Sequence, residues 1–535
     1  MAGILRDPCD EALMRSVRAS APCSREAGPW ILAATILGSS MAFIDGTVVN
    51  IALPALQSSM GATVLDVQWV VEAYGLFVSA LMLTGGALGD RLGRKRVYCV
   101  GVALFALASI GCGFAPGIRE LVAARGLQGI GAAMLVPGSL AIISASFPEE
   151  ERGKAIGTWS AFTAVAMAIG PLVGGSLIEH VSWRAIFFLN VPLAVIVLVL
   201  VYRHVPESRD GAGGGGLDAP GAALVTLGLG AIVYGLIESA TLGIGHPLIV
   251  GALVAGFVLS SLFFLVERRS KAPMLPLALF RSRPFSAANA LTLLLYAAIG
   301  GGFFFLPMNL IQVQGYSATA AGAATLPLVV IMFLLSRWSG GLIARIGARL
   351  PLVIGPAIAA AGFALFMLPG VGGSYWTTFF PAIVVLGLGL TLTVAPLTTT
   401  VMNAVERAHA GIASGINNAV SETAGLLAIA VLGLVMSHAF DRDLDRRLAS
   451  SNVSPALIAE MKQQRTRLAA IEIPASADAA MRATLEGAVA DSFVAGFRLV
   501  MFISAALALL SAVCGWFTID PAASSRIRKR HSGTR

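Results

Sequence analysis

The chain is 535 residues long, 56% hydrophobic and only 12% charged, with a formal net charge of +8. Ordinary soluble domains carry roughly 25% charged residues, so this chain lacks the polar surface that a water-soluble fold of its size needs. The positive excess forms no nucleic-acid-binding domain: the basic residues sit in short loops between apolar runs and in the last ten residues, at Arg526, Arg528, Lys529 and Arg530.

Residues 1–29 contain arginines but no apolar core followed by a cleavage signal, so they read as a cytoplasmic tail and the first span as the export signal. Span 1 is predicted from Trp30 to about Pro54, long enough for a hydrocarbon core of about 30 Å, with Asp45 near its middle. Span 2 runs from about Gln68 to Gly89, with Trp69 and Tyr74 expected in an interfacial aromatic belt. The loop Gly85 to Tyr98, GGALGDRLGRKRVY, follows; Arg91, Arg94, Lys95 and Arg96 place it in the cytosol by the positive-inside rule.

Spans 3 to 6 are predicted at 97–114, 120–144, 155–178 and 185–202, completing a six-helix unit over 30–203. Residues 204–267 hold the flexible linker Gly213 to Gly216 and an additional pair, spans 7 and 8, at 220–237 and 247–266. A basic cytoplasmic loop, 268–284, leads into a second unit, 285–517, with spans at 285–311, 320–343, 351–369, 377–400, 411–436 and 493–517. Between the last two, residues 438–492 read as a long periplasmic loop with one or two surface helices; its interleaved charges nearly cancel, and long loops translocate largely regardless of charge. Fourteen spans leave both termini cytoplasmic, with 518–535 as a basic tail.

The loop after span 2 is echoed after span 10: Gly340 to Arg349 reads GGLIARIGAR, with Arg345 matching Arg91, Gly347 matching Gly93, and Ala344 where Asp90 stands. The pattern G-x-L-x-D-R-x-G-R-K, carried by Gly86, Leu88, Asp90, Arg91, Gly93, Arg94 and Lys95, resembles the signature loop of the major facilitator superfamily. That resemblance implies an all-α membrane fold of two six-helix bundles related by an axis along the membrane normal. The extra pair resembles the fourteen-helix drug:proton antiporters, a branch that uses the proton gradient and no cofactor. It also implies a cytoplasmic gate at Gly86, Asp90, Arg91, Gly93 and Arg94, with Asp90 approaching the start of span 13.

Three constellations extend the resemblance. Asp45-Gly-Thr-Val-Val-Asn50-Ile-Ala-Leu-Pro54 is similar to the span 1 motif of this branch. A mid-membrane carboxylate costs about 2.5–3.5 kcal/mol on insertion scales, so Asp45 should face the bundle interior and serve as a proton site; the alternative is an aspartate that only bonds a neighbouring helix. Leu121 to Ala133, LVAARGLQGIGAA, is similar to the span 4 motif, which makes Arg125 an electrostatic partner in coupling; the alternative is an arginine snorkelling to the interface. Gly170-Pro171-Leu-Val-Gly174-Gly175 is similar to the bend motif of antiporters, with Ala166 where a further glycine is often found. Pro171 cannot donate to Met167, and the glycines admit a close neighbour.

Glu422, flanked by Asn417, Asn418 and Ser421, sits midway along span 13 and is the other candidate for proton or cation binding, unless it is locked to a nearby polar group. Glu72 and Glu238 lie toward the outer ends of spans 2 and 7, where reaching water costs little. The six histidines fall in loops or at helix ends, and the five cysteines have no metal-ligand spacing. Absence of GxxxxGK[ST], HExxH and GxSxG patterns argues against an enzyme and against ATP as energy source.

Phe43, Tyr74, Phe77, Gln128, Phe304, Asn417 and Asn418 are the residues expected to line a substrate cavity, although aromatic residues of this kind also pack helices or face lipid. The expected function is proton-coupled export of lipophilic, often cationic, drugs across a bacterial cytoplasmic membrane by a monomer. The alternative is a facilitator importing or sensing a small solute. Besides the small lipophilic substrate and the bilayer, a periplasmic adaptor protein is the further candidate partner.

Overall fold

The computed structural model describes residues 27–209, 218–270, 273–405, 410–450 and 453–519, and every regular element among them is a helix. The first part contains α1 (Gly28–Met60), α2 (Val64–Leu92), α3 (Arg94–Phe114), α4 (Ile118–Ser146), α5 (Glu149–His180), the single turn α6 (Ala185–Phe188) and α7 (Asn190–His204). An extra pair follows, α8 (Ala219–Leu242) and α9 (Pro247–Arg269). The last part contains α10 (Arg283–Met308), α11 (Ala318–Ala324), α12 (Leu326–Ile346), α13 (Arg349–Leu365), α14 (Phe379–Asn403), α15 (Ala410–Ala449), α16 (Pro455–Gln463) and α17 (Ala479–Thr518). Among the described residues thirteen helical stretches are long and apolar enough to cross a bilayer, and α13, a shorter apolar helix, stands where the remaining predicted span was placed.

The packing repeats itself. In the first part α1 packs on α4, α5 and α7, while α4 receives α2 and α3 and α3 also meets α7. In the last part α10 packs on α15 and α17, while α14 receives α12 and α13 and α13 also meets α17. The two sets join along two seams, α2 against α15 and α5 against α11, and α8 lies over the first of them, touching both α2 and α15. The internal sequence echo has a backbone counterpart: Gly93 and Gly347 end α2 and α12 with φ of 114° and 81°, each N–H bonding the carbonyl four residues back. Only glycine adopts that region without strain.

Several boundaries differ from expectation for identifiable reasons. α1 continues through Pro54 to Met60, because a proline inside a membrane helix forfeits one backbone bond and clashes locally without ending the helix. The stretch 438–492 is mostly helical: α15 and α17 are 40 residues each, about 60 Å at 1.5 Å per residue and twice a hydrocarbon core. Hydropathy falls where they leave the apolar zone, yet Phe440, Leu444 and Leu448 of α15 and Leu485, Val489 and Phe493 of α17 stay buried in one cluster, and Arg447 reaches Asp443 on its own helix and, at 2.8 Å, Asp491 on α17. Between them α16 and a 3-10 turn, Arg465–Ala470, form a strap. Gln57 of α1 donates to the Arg467 carbonyl and Arg467 donates to the Gly61 carbonyl, so the strap ties the last part to the first.

The end carrying Gly93 is the basic end of the molecule. At the opposite end the halves are tightly closed: Gly175 of α5 meets the Ala318 carbonyl of α11, Gly322 meets the Pro171 carbonyl, and Glu179 accepts the Thr319 N–H at 3.2 Å. Toward the basic end, a Cβ at Gly153 or Gly157 of α5, or at Gly340 or Gly341 of α12, would meet nothing within 4 Å. These four glycines thus make no backbone-on-backbone contact of the kind seen at the other end.

Candidate functional site

Asp45 and Arg125 form an ion pair in the interior of the first set of helices, each side chain 1% exposed. Arg125 Nη1 donates to Asp45 Oδ2 and, at 2.7 Å, to Gln128 Oε1, and its Nε donates to the Val70 carbonyl at 3.0 Å. The other Asp45 oxygen accepts from Gln128 Nε2 at 2.8 Å and Asn190 Nδ2 at 3.1 Å, and both amides also donate to Ser109 Oγ. The guanidinium carbon stands 4.3 Å from the Tyr74 ring centre and 6.0 Å from that of Phe187. Helices α1, α2, α3, α4 and α7 and the turn α6 thus each supply one part of a single polar cluster.

Close helix approach makes this geometry possible. A Cβ at Gly129 would lie 2.5 Å from the Tyr74 carbonyl, and one at Gly131 would lie 2.7 Å from the Phe105 amide nitrogen, so glycine lets α4 sit directly against α2 and α3. Leaving a buried charge unpaired is far costlier than pairing it, and here both Asp45 oxygens and the Nε and Nη1 of Arg125 have partners. The reading of Asp45 as facing the interior holds, and Arg125 does not snorkel outward.

Sequence reasoning gave no site role to Ser109, Phe187 or Asn190. A serine and an asparagine in apolar runs were the available signals. Tyr74 lies under Arg125 rather than in an interfacial belt, and its hydroxyl donates to the Ala42 carbonyl at 3.3 Å. Gln128 and Phe304, expected to line a cavity, are both fully buried, Gln128 in the ionic cluster and Phe304 edge-on to Phe305 in the apolar core. Phe43, Phe77, Asn417 and Asn418 are half-buried; Asn417 bonds Asn289 and Thr292 of α10.

Glu422 is half-buried and makes no hydrogen bond or ion pair with a described residue, so it is not locked to a polar neighbour; Tyr74 and Tyr296 lie close enough to feel its charge. Glu238 accepts the Trp69 indole N–H at 3.1 Å. Glu72 departs from expectation: it does not reach water but is completely buried, with neither carboxyl oxygen bonded to a described residue.

In the basic loop Asp90 is half-exposed and pairs with Arg94 at 2.8 Å, while Arg91 is exposed. Glu207, not singled out by sequence, organises this loop: it accepts the Lys95 N–H at 3.1 Å and lies 3.7 Å from Arg96. Gly86 faces Pro137 of α4. Residues 406–409, which precede α15 and bear on its expected contact with Asp90, lie outside the described residues. In α5, Gly170 and Gly174 abut Thr47 and Val48 of α1, while Gly175 and Pro171 meet α11. The motif thus seats one helix between two others.

The family model described as Major Facilitator Superfamily matches residues 35–429. Over 505 residues, 91% of each chain, the sequence is 34% identical to the multidrug resistance protein Stp of Mycobacterium tuberculosis (strain CDC 1551 / Oshkosh). It is 33% identical to the tetracenomycin C resistance and export protein of Streptomyces glaucescens, covering 92% of this chain and 91% of that one. Among solved structures, a bacterial homologue of the human lysosomal transporter Spinster superposes with a TM-score of 0.62 at 19% identity, covering 92% of this chain and 98% of that one. A D-xylose-proton symporter superposes with a TM-score of 0.59 at 14% identity and the same coverage.

Proposed function

The chain belongs to the major facilitator superfamily, in the branch of multidrug and antibiotic-resistance transporters, and from that premise we propose that it exports lipophilic drugs in exchange for protons. It is a multi-pass membrane transport protein and not an enzyme. The observation that carries the coupling reading is the Asp45–Arg125 pair: a carboxylate buried in membrane helices, held by one cation and two amide donors.

A proton arriving on Asp45 cancels its attraction for Arg125 and replaces an acceptor by a donor, so the bonds to Gln128 and Asn190 must rearrange with it. Arg125 also grips α2 through the Val70 carbonyl and the Tyr74 ring, which gives protonation a mechanical outlet in a helix lining the seam between the halves. In this reading the basic end is cytoplasmic, as are both termini. The backbone contacts of α5 with α11 then close the outward end. Phe43, Tyr74, Phe77, Asn417, Asn418 and Glu422 are the residues proposed to meet the cargo, and Glu422 favours a cationic one.

Inside-out vesicles containing the chain provide the test, with puromycin, tetracenomycin C and ethidium as probes. Uptake that needs an imposed proton gradient, and proton release on adding the probe, support exchange. Uptake that persists undiminished with an uncoupler removes the reading.

A further inference from the structure

Glu72 occupies a position that the coupling site does not explain. On either side of it along α2, Gln68 and Gly75 touch α15: Gln68 donates to the Ile429 carbonyl at 3.1 Å, and a Cβ at Gly75 would meet Leu426. Trp69 and Leu76 touch α8, through Glu238 and beside Gly230. Glu72, between these four on the same face of α2, therefore lies on the line where α2, α8 and α15 meet, whose buried apolar cluster includes Leu65, Leu76, Val233, Ile237, Leu426 and Ala430. Its side chain is fully buried and neither oxygen has a hydrogen-bond partner among the described residues.

An ionised carboxylate without donors in such a seam is far costlier than the neutral acid, and the group resolves that cost by holding a proton. The ionisable groups on the elements packed around α2 do not relieve it. Arg125 on α4 is committed to Asp45 on α1, Gln128 and Val70; Glu238 on α8 is held by Trp69, with Tyr234 beside it; Glu422 on α15 lies toward Tyr74; Cys112 on α3 faces Gln128. In the strap, Arg465 is taken by Asp445 and Arg467 by Glu472 and Gly61.

We propose that Glu72 is a second proton-binding site, separate from the Asp45–Arg125 cluster, which keeps its proton while α2, α8 and α15 are packed together and yields it when α15 parts from α2. At 100° per residue, Glu72 lies about 200° around α2 from Val70, the residue Arg125 grips. One turn of α2 thus carries both sites on opposite faces, and its rotation links their occupancies. This deepens the exchange reading and rests on it for the direction of proton flow, but the site itself is testable without transport.

The test is infrared spectroscopy of the purified full-length chain in lipid at neutral pH. A carbonyl band of a neutral carboxyl is expected in the wild type, lost in Glu72→Gln and retained in Asp45→Asn and in Glu422→Gln. A band unchanged in Glu72→Gln, or absent from the wild type, overturns the proposal. Should Glu72→Gln not be recovered, Glu72→Asp decides the same point by shifting the band or leaving it in place. In proteoliposomes Glu72→Gln is expected to lower the number of protons exchanged per cargo molecule. If the wild type moves cargo without protons, the exchange reading fails while the infrared result still stands.

Discussion

Gly175 of α5 lies so near the Ala318 carbonyl of α11 that no Cβ fits between them. Gly322, on the facing helix, meets the Pro171 carbonyl in the same way, so each helix presents a backbone groove to the other. Closure at this end is backbone on backbone, without a layer of side chains to adapt. Overpacking a tight contact costs about 1–3 kcal/mol, enough to reverse an equilibrium between two nearly balanced arrangements. Gly175→Leu is therefore expected to abolish transport while the protein still inserts, and to expose a cysteine introduced at Thr47 to an impermeant thiol reagent from the outer side. Unaltered labelling would show that this contact does not hold the end shut.

The basic loop offers a graded comparison. Gly93 combines a φ of 114° with a neighbour, Glu207, that a Cβ would strike, so Gly93→Ala meets strain in backbone and side chain alike. An alanine in left-handed backbone costs about 1–2 kcal/mol before any clash is counted. Glu207→Ala removes an acceptor from the Lys95 N–H and a long ion pair to Arg96, both at the surface, where such pairs contribute about 0–1 kcal/mol. Thermal unfolding should rank Gly93→Ala below Glu207→Ala, and transport should follow the same order. Asp90→Ala is expected to reduce transport strongly with insertion retained, because it removes the carboxylate at the end of α2 that pairs with Arg94 at the start of α3; wild-type efflux in that variant would remove Asp90 from the gate.

The membrane spans, the extra pair and the acid and base of the ion pair were legible because each is a local signal: an apolar run of a given length, or a charge where charge is expensive. Partners contributed by distant helices were not. Asn190, which donates to Asp45, and Ser109, which accepts from Gln128 and Asn190, are unremarkable in sequence, and the cluster they join forms because glycines let α2, α3 and α4 close up. Glu72 was misread for the same reason, since depth along α2 is visible in sequence whereas the cover supplied by α8 and α15 is not. The helical extensions of α15 and α17 escaped because hydropathy reports where lipid ends, and a helix stops only when its own bonds and neighbours do.

Those extensions allow a contrast between exposed and buried ion pairs. Arg447, 40% exposed, bridges Asp443 and Asp491 between α15 and α17. Solvent screens both contacts, so Arg447→Ala is expected to lower stability by less than about 1 kcal/mol and to leave efflux intact. A larger loss in thermal unfolding would mean that the two helices depend on this bridge for their alignment.

The Asp45–Arg125 pair should behave differently, because neither partner has water to fall back on. Removing one partner of a buried pair costs about 3–5 kcal/mol, chiefly by leaving the other charge uncompensated. Asp45→Asn keeps an oxygen for Gln128 and Asn190 but leaves Arg125 without a countercharge, and it mimics the protonated site permanently. It should lower the unfolding midpoint, still reach the membrane, and lose both gradient-driven efflux and substrate-induced proton release. Adding Arg125→Gln removes the stranded charge, so the double variant should regain much of the stability and none of the coupling. That separation of stability from transport is what distinguishes a coupling pair from a structural one. Measurement in proteoliposomes at several pH values decides the matter: uphill efflux by Asp45→Asn with an unchanged pH profile would place coupling elsewhere, with Glu422 the next residue to test.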